Sequence, residues 1–274
     1  MVSREKLREI TSTLASAGVF DPVFEAREII REYAGASALM TGEVREEALP
    51  VIDAAVKRRV AGEPLQYIFG QWEFYGLPFY VGRGVLIPRP ETELLTDIAA
   101  QRLDSGSTVL DLCSGTGCIP VSIAVRTGAK CYAVELYDEA FSYLERNIEL
   151  NGVPVTAVKA DARDSSILPG VSFDAIFSNP PYLTETEMCS LMREVRHEPP
   201  SALYGGTDGL DFYRALIPAW AGRLAPGGFL AVEIGETQGA AVAQLMTDAG
   251  LYPRIIKDPA GADRVVCGET ADIS

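Results

Sequence analysis

Histidine is almost absent from this sequence: among 274 residues there is a single one, His197. A histidine-based metal centre, or a hydrolase with a Ser-His-Asp triad, would depend on that one side chain. The five cysteines are odd in number and include no C-x-x-C pair. Neither a disulfide framework nor a zinc site is therefore expected, and we predict reduced thiols in the core and no bound metal.

Long apolar runs are also missing, although 47% of the residues are hydrophobic. No stretch approaches the roughly 18 uninterrupted apolar residues that a membrane-spanning helix needs. The opening residues, MVSREKLREI, are charged and lack the apolar centre of a secretory signal peptide. We expect a cytoplasmic protein with no membrane partner, and a monomer.

Basic residues are few: 24 Lys and Arg oppose 38 Asp and Glu, which gives a net charge of −14. Proteins that bind duplex DNA obtain most of their affinity by neutralising phosphates with basic side chains. The acidic charge counts against direct nucleic-acid binding without eliminating it, since an acidic chain can hold a local basic patch.

The length of the chain and the change in its residue pattern along the sequence predict one large domain and one smaller domain. Apolar residues at helical spacing predict a small helical bundle over residues 1–64. The segment LQYIFGQWEFYGLPFYVG is aromatic and interrupted by glycine and proline, which predicts short strands in a β-hairpin linker over residues 65–85. The remaining residues, 86–274, form the larger domain.

Strand-like and helix-like segments alternate in this larger domain. The predicted strands are TVLDL, KCYAVE, VTAVKA, FDAIFS, FLAVEI, LYPRIIK and RVVCG, and the predicted helices cover residues 118–127, 138–151, 211–224 and 237–249. This alternation predicts an α/β fold with a doubly wound, Rossmann-like sheet of seven mostly parallel strands. Only DPAGAD joins the last two strands, so that pair is predicted to be antiparallel.

Small residues follow the first of these strands, in VLDLCSGTGCI. Glycine allows a backbone to approach a ligand closely, and a helix N-terminus offers free N–H groups, although a tight turn with no ligand is the plain alternative. Asp111 at the strand end would repel a phosphate and attract a cation, which favours S-adenosylmethionine over NAD. Glu135, roughly 20 residues further on, stands where nucleotide-binding folds place an acid for ribose hydroxyls. Asp161, after the third strand, could accept a hydrogen bond from an adenine amino group or could be a solvated loop acid.

The fourth strand runs directly into Asn179-Pro180-Pro181-Tyr182. A turn ended by proline is one interpretation. The functional interpretation is that neither proline has an N–H, so the strand end presents the Asn179 side-chain oxygen and the Pro180 carbonyl as acceptors. Together they could hold both N–H bonds of one planar NH2 group while Tyr182 packs against it. This predicts methyl transfer to an amide or amino nitrogen by orientation and electrostatics, without a tuned general base.

The combined pattern resembles S-adenosylmethionine-dependent amino-group methyltransferases, whose motif is [DNS]-P-P-[YFW]. From about Arg58 to Gly268 the chain resembles the HemK family, also called PrmC, in segments such as GVLIPRPETELL, HEPPSALYGGTDGLDFYR and LAPGGFLAVEIGETQ. That resemblance implies methylation, by S-adenosyl-L-methionine, of the glutamine amide nitrogen in the Gly-Gly-Gln tip of peptide-chain release factors, which modulates translation termination. It also implies that the N-terminal helical domain helps to grip the release factor.

Carried over by position, the resemblance implies three overlapping sets of site residues. The cofactor-binding set is Asp111, Cys113, Ser114, Gly115, Thr116, Gly117, Glu135, Asp161, Ala162 and Asn179. The substrate-binding set is Asn179, Pro180, Pro181 and Tyr182, with Arg89, Glu91 and Thr92 of the PRPETE loop. Of these, Asn179, Pro180 and Tyr182 are the catalytic residues. For the loop, the alternative is helix capping by Thr92 and charge pairing by Arg89 and Glu91.

Three positions depart from the family pattern, and one of them is Glu135, which replaces the commoner Asp as the ribose acid. Cys113 replaces the first glycine of G-T-G-S-G, so a positive φ at that position would be strained. Ala162 stands where relatives often carry a bulky residue against the adenine, which puts the stacking contact in doubt.

Three other functions use the same features. A ribosomal-protein glutamine methyltransferase would share the substrate clamp, Asn179-Pro180-Pro181-Tyr182, but is expected to differ in the PRPETE loop. A DNA adenine-N6 methyltransferase would act on the same NH2 geometry but must flip a base and grip phosphates, which the acidic charge disfavours. A non-catalytic cofactor-binding protein would be expected to lose Asn179 or Asp111, and both are present.

Overall fold

The computed structural model of the protein describes residues 3–41 and 43–271, which form two compact units. The smaller unit contains the described residues up to Gly70 together with Met192–His197, and the larger unit contains Gln71–Leu191 and the described residues from Glu198 onward. Within the described residues, no helix is both long enough and apolar enough to cross a membrane.

The smaller unit is a helical bundle, as predicted. Its α-helices are α1 (Ser3–Ser16), α2 (Pro22–Ala34), α3 (Ala36–Thr41), α4 (Leu49–Val60) and α5 (Leu65–Phe69). The Asp21 side chain caps α2 by accepting a 2.9 Å hydrogen bond from the Phe24 N–H, and Pro22 occupies the first turn, where its missing N–H costs nothing. Apolar side chains such as Leu14, Ile29 and Ile52 form the core of this unit.

The prediction that Leu65–Phe69 begins a hairpin strand is wrong, because these residues form α5. Pro64 precedes the helix with an extended backbone, and Gly70 ends it in the left-handed conformation at φ 77°. Leu65 and Ile68, three positions apart, are buried together in the core of the smaller unit. The aromatic composition favours a strand locally, and tertiary burial of one helical face overrides it.

The β-hairpin itself consists of β1 (Gln71–Phe74) and β2 (Leu77–Tyr80). Its two turn residues, Tyr75 and Gly76, have positive φ values of 53° and 75°, the geometry that suits a two-residue hairpin turn. Phe74 and Phe79 pack into the core of the larger unit, so the hairpin is part of that unit.

A seven-stranded sheet forms the centre of the larger unit. Its strands are β3 (Thr108–Leu112), β4 (Lys130–Glu135), β5 (Val155–Lys159), β6 (Phe173–Ser178), β7 (Leu224–Glu233), β8 (Tyr252–Lys257) and β9 (Asp263–Glu269). The order is β5-β4-β3-β6-β7-β9-β8, and all neighbours among the first five are parallel. Strand β9 is antiparallel to both β7 and β8. The predicted doubly wound sheet with an antiparallel final pair is confirmed.

Helices cover both faces of this sheet. They are α6 (Glu93–Arg102), α7 (Cys118–Thr127), α8 (Asp138–Asn151), α9 (Glu185–Cys189), α10 (Asp211–Ala221) and α11 (Gly239–Asp248). The helix predicted over 211–224 ends early, because Leu224 already opens β7. Side chains alternate along β3: Val109 packs with α6 and α7, whereas Leu110 and Leu112 pack with α10 and α11.

Three of the cysteines are buried thiols, as predicted, but Cys189 at the end of α9 is exposed and Cys113 is only partly buried. All five are free. The prediction of core thiols therefore fails for Cys189.

The strand order places a crevice between β3 and β6. The chain leaves β3 toward β4 and β5 on one side, and it returns to the opposite side for β6 and β7. Ligands of open α/β sheets bind where the connections diverge in this way, at the carboxyl ends of the strands. The residues that follow β3 and β6 therefore meet at one edge of the sheet.

Asn147 on α8 is fully buried and joins the hairpin to the loop after β3. Its amide nitrogen donates to the carbonyls of Tyr80 (3.1 Å) and Thr116 (2.9 Å), and its oxygen accepts from the Tyr80 N–H at 2.6 Å.

We predict that Asn147→Ala lowers the free energy of unfolding by about 2–4 kcal/mol, because it leaves buried backbone groups without partners. Chemical denaturation with Asn151→Ala as the matched control measures this. Among the described residues, the Asn151 side chain, one helical turn later, donates only to the Pro78 and Asn147 carbonyls, and its loss should cost about 1 kcal/mol or less.

Candidate active site

A cavity opens at the edge where β3 and β6 end, with about 1040 Å³ of empty space including its mouth. Its wall combines residues that are distant in sequence but adjacent at the carboxyl ends of the strands. The predicted site residues in the wall are Arg89, Thr92, Cys113, Ser114, Gly115, Thr116, Glu135, Asp161, Ala162, Asn179 and Pro181. The predicted residues outside the wall are Glu91, Asp111, Gly117, Pro180 and Tyr182.

The loop after β3 runs tightly into α7. Cys113, Gly115 and Gly117 have φ values of 61°, 53° and 78°. A Cβ at Gly117 would lie 2.5 Å from Leu144 Cδ1, and a positive φ is strained for a residue with a side chain, so both space and backbone favour glycine there. Cys113 does adopt the positive φ that the sequence identified as strained for a residue with a side chain. Burial raises the pKa of the Cys113 thiol far above its usual range, and the nearby acids Glu135 and Asp111 add to the rise.

Glu135 holds this loop through backbone N–H groups. One carboxylate oxygen accepts from Gly115 at 2.9 Å, and the other accepts from Leu136 and Tyr137, each at 2.8 Å. A carboxylate offers about four acceptor positions, so one remains for a hydroxyl of a ligand in the cavity. Glu135 therefore shapes the loop and still presents a hydrogen-bond acceptor.

Asp111 is the penultimate residue of β3 and is fully buried. Strand alternation turns it to the face of α6 and α7, between its register neighbours Ala133 and Phe177. Neither carboxylate oxygen has a hydrogen-bond partner among the described residues. Burial raises the pKa of Asp111 to about 8. An unpaired buried acid of this kind is costly for the fold and suits a nearby positive charge.

Asp161 and Ala162 form the wall beyond β5. The Asp161 carboxylate makes a bidentate ion pair with Arg163 (2.9 and 2.7 Å), which lowers the pKa of Asp161. The Ala162 carbonyl accepts a 2.7 Å hydrogen bond from the indole of Trp220. The small Ala162 side chain is buried in the wall, where a bulky residue would fill part of the cavity.

The Asn179-Pro180-Pro181-Tyr182 segment continues from β6. The amide nitrogen of Asn179 donates to the Thr92 hydroxyl at 3.1 Å. Within the described residues, nothing donates to the Asn179 side-chain oxygen or to the Pro180 carbonyl. The Tyr182 hydroxyl donates to a carboxylate oxygen of Glu233 at 3.4 Å. The two acceptors expected from the sequence are therefore without internal donors.

Two residues that the sequence interpretation missed support this segment. Gln238 donates to the Tyr182 carbonyl at 3.0 Å, and Glu233 at the end of β7 accepts from Thr92 at 2.6 Å. The signal for Glu233 was a charged residue that ends an apolar strand, the same signal that identified Glu135. Gln238 carried no comparable local signal.

The loop before α6 covers the cavity. A third missed residue, the buried Glu198, accepts from the Ile87 N–H at 2.9 Å and forms an ion pair with Arg89. Charge pairing by Arg89, the plain alternative for this loop, is thus present. Thr92 makes no side-chain cap for α6, and Glu91 is exposed.

Within residues 3–41 and 43–271, no group of three or more His, Cys, Asp or Glu side chains could hold a metal ion. His197 belongs to a short 3₁₀ helix, Val195–His197, of the smaller unit. Neither observation adds a metal centre or a catalytic histidine to the cavity.

Comparison with known proteins identifies similar sequences for both parts of the chain. Residues 5–70 match the family described as PrmC N-terminal domain, and residues 93–200 match the family described as Conserved hypothetical protein 95. Over 275 aligned residues the chain is 37% identical to the release factor glutamine methyltransferase of Moorella thermoacetica. This alignment covers 96% of this chain and 97% of the relative.

Solved structures share the fold at lower identity. A methyltransferase from Pyrococcus furiosus aligns with a TM-score of 0.56 and 20% identity, covering 83% of this chain and 100% of that one. The T. thermophilus 16S rRNA methyltransferase RsmC, in complex with AdoMet and guanosine, aligns with a TM-score of 0.52 and 19% identity. The alignment covers 73% of this chain and 49% of that one. These likenesses support the methyltransferase type of fold.

We predict that Asp111→Asn changes stability in a pH-dependent way. The pKa of Asp111 is raised in the folded state, so the wild type is destabilised as pH rises from the unfolded value near 4 to about 8. Asparagine cannot ionise. Thermal unfolding without ligand should show similar stability for the two proteins at about pH 5, and at about pH 9 the variant should be more stable by at least about 2 kcal/mol. An equal difference at both pH values would contradict this account of Asp111.

Proposed function

The chain belongs to the family of release factor glutamine methyltransferases, and from that premise we propose that it methylates the side-chain amide nitrogen of the glutamine in the Gly-Gly-Gln loop of a peptide-chain release factor. The observation that carries the proposal is the pair of acceptors after β6, the Asn179 oxygen and the Pro180 carbonyl, which lack internal donors within the described residues. A primary amide has two N–H bonds to offer, and two fixed acceptors define its position.

The amide nitrogen is a poor nucleophile because its lone pair is delocalised into the carbonyl. Acceptors that hold both N–H bonds stabilise the nitrogen as positive charge develops on it and fix its direction of approach. Tyr182 would pack against the substrate amide. Burial raises the pKa of Tyr182 far above its usual range, so its phenol stays neutral and cannot accept the departing proton. After the methyl group has moved, the nitrogen loses its extra proton to solvent water, so the step needs no side chain as a base.

The cavity suits S-adenosyl-L-methionine as the methyl donor. When bound, this cofactor supplies a methyl group on a positively charged sulfur, and S-adenosyl-L-homocysteine is its product. The unpartnered carboxylate of Asp111 and the acidic wall residue Glu135 suit a ligand with positive charge and hydroxyl groups. The residues that would hold it are Asp111, Cys113, Ser114, Gly115, Thr116, Gly117, Glu135, Asp161, Ala162 and Asn179.

The substrate side of the proposal uses the covering loop and the smaller unit. Arg89, Glu91 and Thr92 belong to the loop that would meet the release factor, with Asn179, Pro180, Pro181 and Tyr182 as the clamp. The smaller unit, which includes α5 and extends to Gly70, would act as a recognition domain for the factor, the hairpin of β1 and β2 as a linker and the rest of the larger unit as the catalytic domain. The proposal also has the protein act as a monomer in the cytoplasm.

Other amino-group substrates are disfavoured. A ribosomal-protein glutamine would fit the same acceptors, but three relatives that cover 96–97% of this chain are named release factor glutamine methyltransferase. An adenine in duplex DNA would require contacts to phosphates, and the net charge of −14 opposes them.

A labelling experiment separates these substrates. The protein is incubated with labelled S-adenosyl-L-methionine and, in separate reactions, a release factor, the same factor with Gly-Gly-Glu in its loop, a ribosomal-protein fraction and adenine-containing duplex DNA. We expect label on the first factor alone. Label on the duplex or on the Gly-Gly-Glu factor would overturn the assignment.

We predict that Asn179→Ala lowers kcat by at least about 100-fold, because one of the two acceptors is lost. Cofactor affinity, measured by calorimetry, should fall much less than kcat, by about tenfold at most, because Asn179 is one of ten residues in the proposed cofactor set and the loop after β3 is untouched. Asn151→Ala, outside the cavity wall, is the control and should keep wild-type turnover. Loss of folding in Asn179→Ala, or a loss of cofactor affinity as large as the loss of kcat, would show that the clamp interpretation is wrong.

A further inference from the structure

Glu233 is a buried carboxylate that the proposed reaction does not use directly. It ends β7, is 1% exposed, and lies behind the clamp. One oxygen accepts from the Thr92 hydroxyl at 2.6 Å, and the other accepts from the Tyr182 hydroxyl at 3.4 Å. Apolar residues of similar size are often as stable as a buried charge, so structural support alone does not explain an acid at this position.

Counting protons gives the direction of each hydrogen bond in this group. A threonine hydroxyl has one proton to donate. An ionised Glu233 can only accept, so Thr92 donates its proton to Glu233. The Thr92 oxygen is then left as an acceptor, and it takes a hydrogen bond from the Asn179 amide nitrogen at 3.1 Å. The Asn179 oxygen must therefore point away from Thr92.

We propose that Thr92 and Glu233 are positioning residues that determine which edge of the Asn179 amide faces the substrate. This inference rests on the proposed function, because the orientation matters only if the Asn179 oxygen accepts a substrate N–H. In the opposite orientation the NH2 group of Asn179 would face the NH2 group of the substrate. Both groups are hydrogen-bond donors, so no hydrogen bond could form between them. The same carboxylate also contacts Tyr182, so Glu233 supports two of the three catalytic residues.

Protonation of Glu233 would release this constraint. A neutral Glu233 can donate to the Thr92 oxygen, which frees the Thr92 proton for the Asn179 oxygen and permits the reversed amide. Burial raises the pKa of Glu233 to about 7, with Thr92 and Arg264 opposing the rise and Glu91 adding to it. Tyr182 and Tyr213 complete the titratable surroundings, the latter by donating to the Glu233 backbone carbonyl at 2.7 Å. Arg264 is itself shared with Asp258 and Glu236.

The chain provides a matched control for Thr92. Thr96, one turn further along α6, is fully buried, and its hydroxyl has no hydrogen-bond partner among the described residues. Thr92→Val and Thr96→Val make the same chemical change at neighbouring buried sites. Only the first removes a link between Glu233 and Asn179.

The test measures kcat, KM for the release factor and cofactor affinity in Thr92→Val, Thr92→Ser and Thr96→Val. We expect kcat of Thr92→Val to fall about 10- to 100-fold with cofactor affinity within about threefold of wild type. Thr92→Ser keeps the hydroxyl and should recover most of the rate, and Thr96→Val should equal wild type. Equal rates in all three variants, or equal losses in both valine variants, would overturn the inference.

A pH profile provides a second readout that a merely structural role would not affect. In the wild type, kcat should decline as pH falls through about 7, because Glu233 becomes protonated. Glu233→Gln should lack this decline, whatever its absolute rate, since glutamine does not titrate. The same decline in both proteins would show that Glu233 does not control the orientation.

The outcomes separate the inference from the proposed function. If the wild type labels the release factor and Thr92→Val does so equally well, the positioning role is wrong and the function stands. If the wild type does not label the factor, both are overturned.

Discussion

The parallel pairing of β3 with β6 is the constraint on which the site depends. Leu112 stands beside Ser178 in the register, and the Ser178 hydroxyl donates to the Leu112 carbonyl at 2.7 Å. Cys113 directly follows β3, and Asn179 directly follows β6. The loop after β3 and the Asn179 side chain therefore line the same cavity from its two sides.

Three acidic side chains lie at or near strand ends, and the surroundings of each carboxyl group determine its role. Glu135 accepts three backbone N–H bonds and organises a loop. Asp111 lies on an apolar face with no partner among the described residues, so burial raises its pKa. Glu233 accepts from two hydroxyls and thereby orients neighbouring side chains. The number and kind of donors, which the residue type does not reveal, separates these roles.

Much of the larger unit was predictable because its signals are local. Apolar strands of five or six residues, separated by amphipathic helices, specify a doubly wound sheet, and the six-residue DPAGAD connection specifies the antiparallel end. Leu65–Phe69 was predicted wrongly because a short aromatic segment suits either a strand or a helix. Only its burial within the smaller unit resolved that ambiguity. The partner of Arg89 was likewise unpredictable, since Glu198 is more than a hundred residues away.

Local patterns in the chain specify the sheet, the glycine-rich loop with Cys113, and the two acceptors that Asn179 and Pro180 present. These follow from backbone preferences and from the missing N–H of proline, which act over a few residues. Tertiary structure alone decided that Asp111 has no partner among the described residues and that Glu233 reaches Asn179 through Thr92. The reason is physical: a hydrogen bond depends on atoms within about 3 Å, and folding brings together groups that the chain keeps far apart.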